Sequence, residues 1–171
     1  MTIRPARVSD VAAIHALIRI FAERKLMILR SHAELYETIR ELVVASDDAG
    51  RILGCAALHV FAADLAEVRS VAVDPSAQGH GVGRRLIEEC CKDAGALGVP
   101  SIFTLTTAPG FFEKCGFERV PKEDLPHAIW GECVRCPSFP ECPEIALVRA
   151  TKASEARVQV SERDSDEAGP R

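Results

Sequence analysis

The sequence contains no long apolar run, no excess of positive charge and no internal repeat. Since a membrane-spanning helix needs about 20 consecutive apolar residues, a transmembrane protein is not expected. The net charge of −4 provides no cationic surface, so a nucleic acid is not an expected partner either. The opening Met-Thr-Ile-Arg-Pro lacks the apolar core of a signal peptide, which leads us to expect a cytoplasmic protein without membrane attachment.

The 171 residues, 47% of them hydrophobic, are enough for one domain with a substantial core. We predict this domain at residues 1–150. From Thr151 to Arg171 the sequence is polar and charged, and it cannot bury enough surface to offset the entropy of ordering. A disordered tail is therefore predicted there. The sequence leaves the oligomeric state open, with a homodimer as the alternative to a monomer.

The most informative stretch of the chain runs from Ala66 to Gly95. It begins with an apolar strand that includes Val71 and Val73, and a glycine-rich loop, Gln78–Gly83, follows. From Val82 the apolar residues recur with helical spacing, and Gly95 is expected to end this helix. The stretch is thus predicted to be a strand, a loop and a helix.

A glycine-rich loop that leads into a helix leaves unpaired backbone N–H groups at the positive end of the helix dipole. Such a site suits a phosphate group. The loop lacks the Gly-Lys-Ser/Thr ending of a P-loop, and glycines at 79, 81 and 83 do not fit the GxGxxG fingerprint of dinucleotide-binding proteins. It does fit Gln-x-x-Gly-x-Gly after Val-x-Val-Asp-Pro. The simpler alternative is that these glycines only make a tight turn between strand and helix.

This string resembles motif A of the GNAT (GCN5-related) N-acetyltransferases, in which the loop amides hold the pyrophosphate of acetyl-CoA. A second segment, Phe111–Phe117, is similar to the family's Phe-Tyr-x-x-x-Gly-Phe segment, with Phe112 where many members carry tyrosine. The resemblance implies an α/β (α+β) fold with a mixed, mostly antiparallel central sheet flanked by helices. It also implies acetyl-CoA as the co-substrate.

The remaining predicted elements agree with this fold. Ser9 is the predicted N-cap of a first helix. A capping box at Ser31–Glu34 is predicted to open a second helix that buries Leu35, Ile39 and Leu42. Strands are expected at residues 2–4, 42–45, 52–61, 101–106 and 145–148, and a short helix at 109–114.

The resemblance also implies roles for particular residues. Backbone N–H groups near Val71 would polarise the thioester carbonyl, and those at Val73 would hold the pantetheine arm. Glu67 matches a strand carboxylate that several members use as the general base. The alternative for Glu67 is an ion pair with Arg69 or another cation. The predicted cofactor-binding residues are Val71, Ala72, Val73, Gln78, Gly79, His80, Gly81, Val82, Gly83, Arg84 and Phe112.

No general acid is predicted. Phe112 cannot donate a proton, and Tyr36, which is the only tyrosine, lies in the predicted second helix. Thiolate is a good leaving group, so water suffices as its proton source.

Four segments narrow the resemblance to the acetyltransferase domain of the N-acetylglutamate synthases, which acetylate the α-amine of glutamate in the first step of arginine biosynthesis. These segments are Leu26–Ser31, Gly54–His59, Ala66–Val73 and Phe103–Thr107. The chain has no room for the amino-acid kinase domain of many such enzymes, so a short stand-alone form is expected.

A dicarboxylate substrate such as glutamate favours forked guanidinium partners, for which Arg30 and Arg69 are the candidates. The alternatives are a solvated loop arginine at Arg30 and a structural ion pair at Arg69. Ala108 follows Thr106 and Thr107 at a position where some relatives carry a cation, which leaves the binding mode of glutamate open.

Two other functions are compatible with the sequence. One is a GNAT enzyme that acetylates another small amine or a protein N-terminus. The other is a non-catalytic module that binds acyl-CoA and senses metal or redox state.

The seven cysteines divide into two sets. Those at 55, 90, 91 and 115 are predicted to be small core residues. Cys133, Cys136 and Cys142 are predicted to lie in an irregular, proline-containing loop at residues 133–142. They could bind zinc, with His127 as the candidate fourth ligand, or an iron–sulfur cluster. The alternative is reduced or reversibly oxidised thiols.

Overall fold

A computed structural model describes residues 1–126, 129 and 141–154 of the chain. In this part of the chain seven strands form one sheet, and four α-helices accompany it. The strands are β1 (Thr2–Pro5), β2 (Leu42–Ser46), β3 (Ile52–Ala62), β4 (Leu65–Val73), β5 (Ser101–Thr106), β6 (Glu118–Val120) and β7 (Ile145–Ala150). The helices are α1 (Val11–Ala22), α2 (His32–Glu37), α3 (Val82–Ala96) and α4 (Pro109–Glu113).

The sheet has the strand order β1-β2-β3-β4-β5-β7-β6. Among these strands β4 and β5 run parallel, and the other neighbouring pairs are antiparallel. The parallel pair requires a long crossover, which α3 supplies. The predicted α/β fold with a mixed, mostly antiparallel sheet is therefore confirmed. No helix within the described ranges has the length and apolar character that crossing a bilayer requires.

The core has one layer on each face of the sheet, and β3 shows the division. Ala56 packs with the buried face of α3, which includes Leu86 and Ile87. Its neighbours Cys55 and Ala57 point the other way and pack with α1 and α2. This alternation follows from the two-residue side-chain period of a strand, and it explains why the central strand segments are apolar on both faces.

Two predicted boundaries in the first half of the chain are wrong. Ser9 does not cap α1; it lies in a 3-10 turn at Val8–Asp10, where the Asp10 carboxylate accepts a hydrogen bond from the Arg7 N–H at 2.7 Å. The capping box at Ser31 is present, but α2 ends at Glu37. Ile39 then lies in a second 3-10 turn and Leu42 begins β2, since apolar spacing alone does not distinguish a helix from a turn that leads into a strand.

Gly95 does not end α3. The helix runs to Ala96, and Gly98, with a φ of 78°, takes the left-handed conformation that follows a helix end. The N–H of Gly98 bonds the carbonyl of Gly95 at 3.1 Å. From the sequence alone, either Gly95 or Gly98 could mark the end of the helix. The backbone conformation identifies Gly98.

Order continues beyond the predicted start of the tail. The N–H of Thr151 bonds the carbonyl of Pro100 at 2.9 Å, and its hydroxyl donates to the carbonyl of Val99 at 2.5 Å. Thr151 is buried, because it extends the line of β7 beside the start of β5. The structure thus corrects the tail prediction for Thr151–Ser154, while residues 155–171 lie outside the described part.

The four cysteines expected in the core are buried, which confirms that prediction. Burial raises the pKa of the Cys55 thiol to about 12 and that of Cys91 to about 11. Burial also raises the pKa values of Cys90 and Cys115. These thiols are therefore protonated and unreactive near neutral pH.

Candidate active site

The two parallel strands at the centre of the sheet separate part of the way along their length. Leu65–Glu67 of β4 pair with Ser101–Phe103 of β5. Beyond Glu67 and Phe103 both strands continue, but their ladder ends. The opening between them forms part of a cleft of about 870 Å³, lined by residues of both strands. An extended ligand can therefore lie between the two strand edges.

A β-bulge shapes the β4 side of this cleft. In the ladder with β3, Ala72 faces Cys55 and Arg69 faces Ala57, so that Ser70 and Val71 together oppose the single residue Ala56. Ser70 has a φ of 55°, which is unusual for a residue other than glycine. The bulge turns the backbone at Val71, which lines the cleft. It lies where the resemblance predicts the N–H group that polarises the thioester.

The glycine-rich loop follows β4 in the chain and lines the same cleft. Gly79 and Gly81 have φ values of 78° and 77°, a conformation that residues with a side chain rarely adopt. The side-chain amide of Gln78 donates to the carbonyl of Val73 at 3.2 Å and ties the loop to the strand. Gly81 is the N-cap of α3 and provides no side-chain cap. The first turn of α3 thus presents backbone N–H groups that suit an anion.

Most of the predicted cofactor-binding residues lie on this cleft. Ala72 is buried among the residues that pack with α1 and α2. Neither it nor His80 or Arg84 lies on the described wall of the cleft. The Nδ1 atom of His80 instead lies 2.8 Å from the carbonyl oxygen of Gln78. The predicted residues that do line the cleft are Val71, Val73, Gln78, Gly79, Gly81, Val82, Gly83 and Phe112.

Two phenylalanines close the side of the cleft beside α3. Phe112 is 5% exposed and packs edge-to-face with Phe111 and with Phe117, at ring-centroid distances of 5.0 and 5.4 Å. Phe111 packs directly against Gly83. Phe112 was a predicted cofactor-binding residue, and it occupies a position where many family members carry tyrosine. Phe111, however, is the ring that contacts the glycine-rich loop.

The predicted base and the two predicted substrate ligands lie on the same cleft. The side chains of Glu67 and Arg69 are each 13% exposed, and Arg69 Nη1 is 3.7 Å from Glu67 Oε2. Glu67 is thus both ion-paired and on the cleft wall, so the two interpretations of this residue do not exclude each other. Arg30 lines the cleft from the loop between α1 and α2, with its Nη1 3.6 Å from Glu34 Oε1. Tyr36, which is 49% exposed, is not on the described wall.

Sequence reasoning missed two residues behind this wall. Glu41, from the 3-10 turn before β2, accepts a hydrogen bond from Arg69 Nη2 at 3.2 Å. Its other carboxylate oxygen lies 2.9 Å from His59 Nδ1. His59 belongs to a segment that carried the family resemblance, but no local pattern connects it with Glu41.

Of the cysteine-rich segment at residues 133–142, the structure describes residues 141 and 142. Cys142 lines the cleft, and its carbonyl accepts a hydrogen bond from Lys122 Nζ at 3.2 Å. Cys133, Cys136 and His127 lie outside the described residues. Within the described part of the chain, no three histidine, cysteine or carboxylate side chains are grouped as a metal site requires. The predicted zinc or iron–sulfur site therefore stays a prediction.

Comparisons with known proteins agree with this geometry. Residues 38–119 match the model of the family described as acetyltransferase (GNAT) domain. The chain is 37% identical over 147 residues to the uncharacterized N-acetyltransferase CT2212 of Chlorobaculum tepidum, which covers 86% of this chain and 94% of that protein. The chain therefore belongs to the GNAT family of N-acetyltransferases, as its sequence predicts.

Two further relatives have more particular descriptions. The amino-acid acetyltransferase of Mycobacterium tuberculosis is 36% identical over 135 residues, which is 78% of this chain and 77% of that protein. The crystal structure of N-acetylglutamate synthase from Neisseria gonorrhoeae, complexed with coenzyme A and N-acetyl-glutamate, matches with a TM-score of 0.80 at 32% identity. That match covers 87% of this chain and 34% of the Neisseria chain. The protein is an acetyl-CoA-dependent N-acetyltransferase with relatives among the amino-acid acetyltransferases.

Proposed function

We propose that the protein transfers the acetyl group of acetyl-CoA to the α-amine of L-glutamate, the first step of arginine biosynthesis. The observation that carries this proposal is that Glu67 and the cation Arg30 line one cleft, next to the glycine-rich loop at Gln78–Gly83. The Neisseria structure, in which coenzyme A and N-acetyl-glutamate are bound together, supports it by similarity.

The residues of the cleft fit acetyl-CoA. The N–H groups at the start of α3 would bind its pyrophosphate, since no side chain of Gly81 competes for them. The opening between β4 and β5 would take the pantetheine arm beside Val73. This arrangement would direct the thioester toward Val71, whose N–H would stabilise the negative charge that develops on the carbonyl oxygen.

The transfer then needs one proton acceptor on the amine side. Glu67, directly or through a water molecule, would take a proton from the ammonium group of the amino acid. The amine nitrogen forms its bond to the thioester carbon, the carbon–sulfur bond breaks, and coenzyme A leaves as a thiolate that takes a proton from water. Phe112 has no proton to donate, so the proposal assigns no side chain as general acid.

Recognition of the amino acid depends on its carboxylates. Arg30, Arg69 and Lys122 are cations on the described wall of the cleft. The Arg30 side chain is 26% exposed and its contact with Glu34 is 3.6 Å long, so this contact can be exchanged for a substrate carboxylate at low cost. We therefore assign a carboxylate of glutamate to Arg30.

The proposal is tested by measuring thiol release from acetyl-CoA in the presence of each of the common amino acids. Glutamate is expected to give the highest kcat/KM. Arg30→Gln is expected to raise the KM for glutamate about tenfold or more, the equivalent of roughly 1.4 kcal/mol, without changing the KM for acetyl-CoA.

Arg24→Gln is the matched control, since Arg24 is exposed near the same loop and does not line the described cleft. It should leave both KM values unchanged. Thiol release that no amino acid accelerates would contradict the proposal and would favour the non-catalytic acyl-CoA sensor. Faster transfer to another amine would move the assignment to a different acceptor.

A further inference from the structure

Four charged or titratable side chains form a row that begins at the candidate base, Glu67, and continues through Arg69 and Glu41 to His59. Glu67 Oε2 is 3.7 Å from Arg69 Nη1, Arg69 Nη2 is 3.2 Å from Glu41 Oε2, and Glu41 Oε1 is 2.9 Å from His59 Nδ1. The cleft reaches Glu67 and Arg69, whereas Glu41 and His59 are not on its described wall. The row therefore begins at the cleft and ends at Glu41 and His59, whose side chains are 26% and 28% exposed.

The sheet register explains why these residues meet. His59 and Glu67 face each other in the antiparallel ladder of β3 and β4, and directly opposed side chains lie on the same face. Arg69 follows Glu67 by two positions and shares that face. Glu41 reaches the same place from the turn that leads into β2. Strand pairing thus aligns His59, Glu67 and Arg69, and the turn before β2 adds Glu41.

We propose that Arg69 is a positioning residue for Glu67 and is not the ligand of the substrate carboxylate, and that Glu41 and His59 hold its guanidinium in place. This inference rests on the proposed function, in which Glu67 is the general base. It changes the role that the sequence suggested for Arg69 and leaves Arg30 as the carboxylate ligand.

The charges around Arg69 support this assignment. Its guanidinium is already within 4 Å of two carboxylates, and its side chain is 13% exposed. A substrate carboxylate at the same guanidinium would place a third negative charge around one cation, in a partly desolvated region where repulsion between like charges is strong. Arg30 contacts Glu34 at a more exposed position, with side-chain exposures of 26% and 49%. The substrate carboxylate is therefore better placed at Arg30.

The geometry also fixes the orientation of Arg69. A guanidinium is planar, so contacts from Nη1 to Glu67 and from Nη2 to Glu41 define its plane. An ionised Glu41 can only accept hydrogen bonds, so the hydrogen lies on His59 Nδ1. The His59 ring packs edge-to-face on Phe61 at 5.0 Å, which sets its orientation. His59 thus orients Glu41, and Glu41 orients Arg69.

This arrangement predicts opposite effects from two substitutions. Arg69 favours the ionised form of Glu67, and Glu41 weakens that effect because it shares the cation and adds a negative charge nearby. Removing the charge of Arg69 should therefore make Glu67 harder to ionise. Removing the charge of Glu41 should make Glu67 easier to ionise. A purely structural role would not give shifts of opposite sign.

The test is the pH profile of kcat at saturating acetyl-CoA and amino acid, which reports groups of the bound complex. Arg69→Gln should move the acid limb of kcat to higher pH by about one unit, with less than about a threefold change in the KM for the amino acid. Glu41→Gln should move the limb to lower pH. Arg30→Gln should raise that KM and leave the limb in place.

The other charged side chains on the described wall are Lys122, Glu123 and Glu144, which are the same in every variant, so their effects cancel in the comparison. Arg69→Lys keeps the charge and should return the limb toward its position in the parent protein. Thermal melting and coenzyme A affinity report whether each variant is folded. If Arg69→Gln does not fold, Glu41→Gln and Arg69→Lys still decide the outcome.

The profiles are recorded with whichever amino acid gives the highest kcat/KM. A best acceptor other than glutamate would therefore overturn the proposed substrate without overturning this inference. The inference is overturned if Arg69→Gln raises the amino-acid KM as much as Arg30→Gln while the acid limb stays in place. It is also overturned if Glu41→Gln and Arg69→Gln shift the limb in the same direction.

Discussion

The ring of Phe111 lies so close to Gly83 that a Cβ atom at position 83 would be 2.9 Å from the Cζ atom of the ring. Real Cβ atoms do not approach other carbon atoms this closely, so Gly83→Ala would displace the ring. Phe111 lines the cleft, so its displacement would change the wall beside the glycine-rich loop. We expect Gly83→Ala to weaken coenzyme A binding by about tenfold, as measured by titration calorimetry.

A second substitution separates this displacement from the loss of the ring itself. In the double variant Gly83→Ala/Phe111→Ala the clash is absent. The loss of coenzyme A affinity caused by Gly83→Ala should therefore be smaller in the Phe111→Ala background than in the parent protein. Equal penalties in the two backgrounds would show that Phe111 is not the reason for glycine at this position.

Gly95 lies inside α3, and a Cβ there would have its nearest neighbours, atoms of Lys152, at 3.8 Å. Alanine at an accommodating helical position lowers the conformational entropy of the unfolded chain. We therefore expect Gly95→Ala to raise the free energy of unfolding by about 0.5–1 kcal/mol in a urea titration.

Gly98→Ala is the matched comparison at the true end of α3. Its φ of 78° strains any residue with a Cβ, so this variant should lose about 1 kcal/mol. Destabilisation by Gly95→Ala together with no effect of Gly98→Ala would restore Gly95 as the residue that ends the helix.

Asp10 joins the first strand to the first helix. Its carboxylate accepts two hydrogen bonds from Arg4, at 2.6 and 3.0 Å, and one from the Arg7 N–H at 2.7 Å. The hydrogen bonds from Arg4, more than that from the Arg7 backbone, hold the pKa of Asp10 below its ordinary value. Its stabilising contribution is therefore complete above the pKa of the unfolded chain, about 3.9, and is lost as the pH falls through the lower pKa of the folded protein.

Asp10→Asn should cost about 2 kcal/mol of unfolding free energy at pH 7. The difference between parent and variant should shrink as the pH is lowered below about 4. Urea titrations over a pH series measure it, and a difference that stays constant down to the lowest pH would contradict the assigned role of the carboxylate charge.

His15 of α1 and His32 of α2 stack with ring centroids 4.0 Å apart and an angle of 22° between their planes. Desolvation, and to a lesser extent the neighbouring His32 and Arg19, lower the pKa of His15 below its ordinary value. The unfolded chain therefore binds a proton more readily at this position. The contribution of His15 to the free energy of unfolding should be complete above about pH 6.5. It should decrease as the pH falls toward the lower pKa of folded His15.

His15→Phe keeps an aromatic ring for stacking and removes the titration. The melting temperature of this variant should fall less than that of the parent protein between pH 7 and pH 5. An equal fall in the melting temperatures of parent and variant between pH 7 and pH 5 would show that His15 does not contribute to the pH dependence.

The parts of the protein that the sequence predicted well depend on residues close together in the chain. The loop Gln78–Gly83 is predicted by its local glycine pattern before an apolar helical face, and the positive φ values of Gly79 and Gly81 agree with that pattern. The capping box at Ser31 and the strands β3 and β4 were recognised for the same reason, since caps and strand periodicity are local signals. The end of α2 was misplaced because apolar spacing does not distinguish a helix from a turn that leads into a strand. The end of α3 was misplaced because either Gly95 or Gly98 could follow it.

The sequence by itself determined the family, the order of the elements and the position of the glycine-rich loop, because each depends on neighbouring residues. Tertiary structure alone decided where β4 separates from β5, that the bulge falls at Ser70, and that Arg69 contacts Glu41. These features depend on strand register and on side chains many positions apart. A one-residue change of register would turn Arg69 to the other face of the sheet, so its partners could not be read from the chain alone.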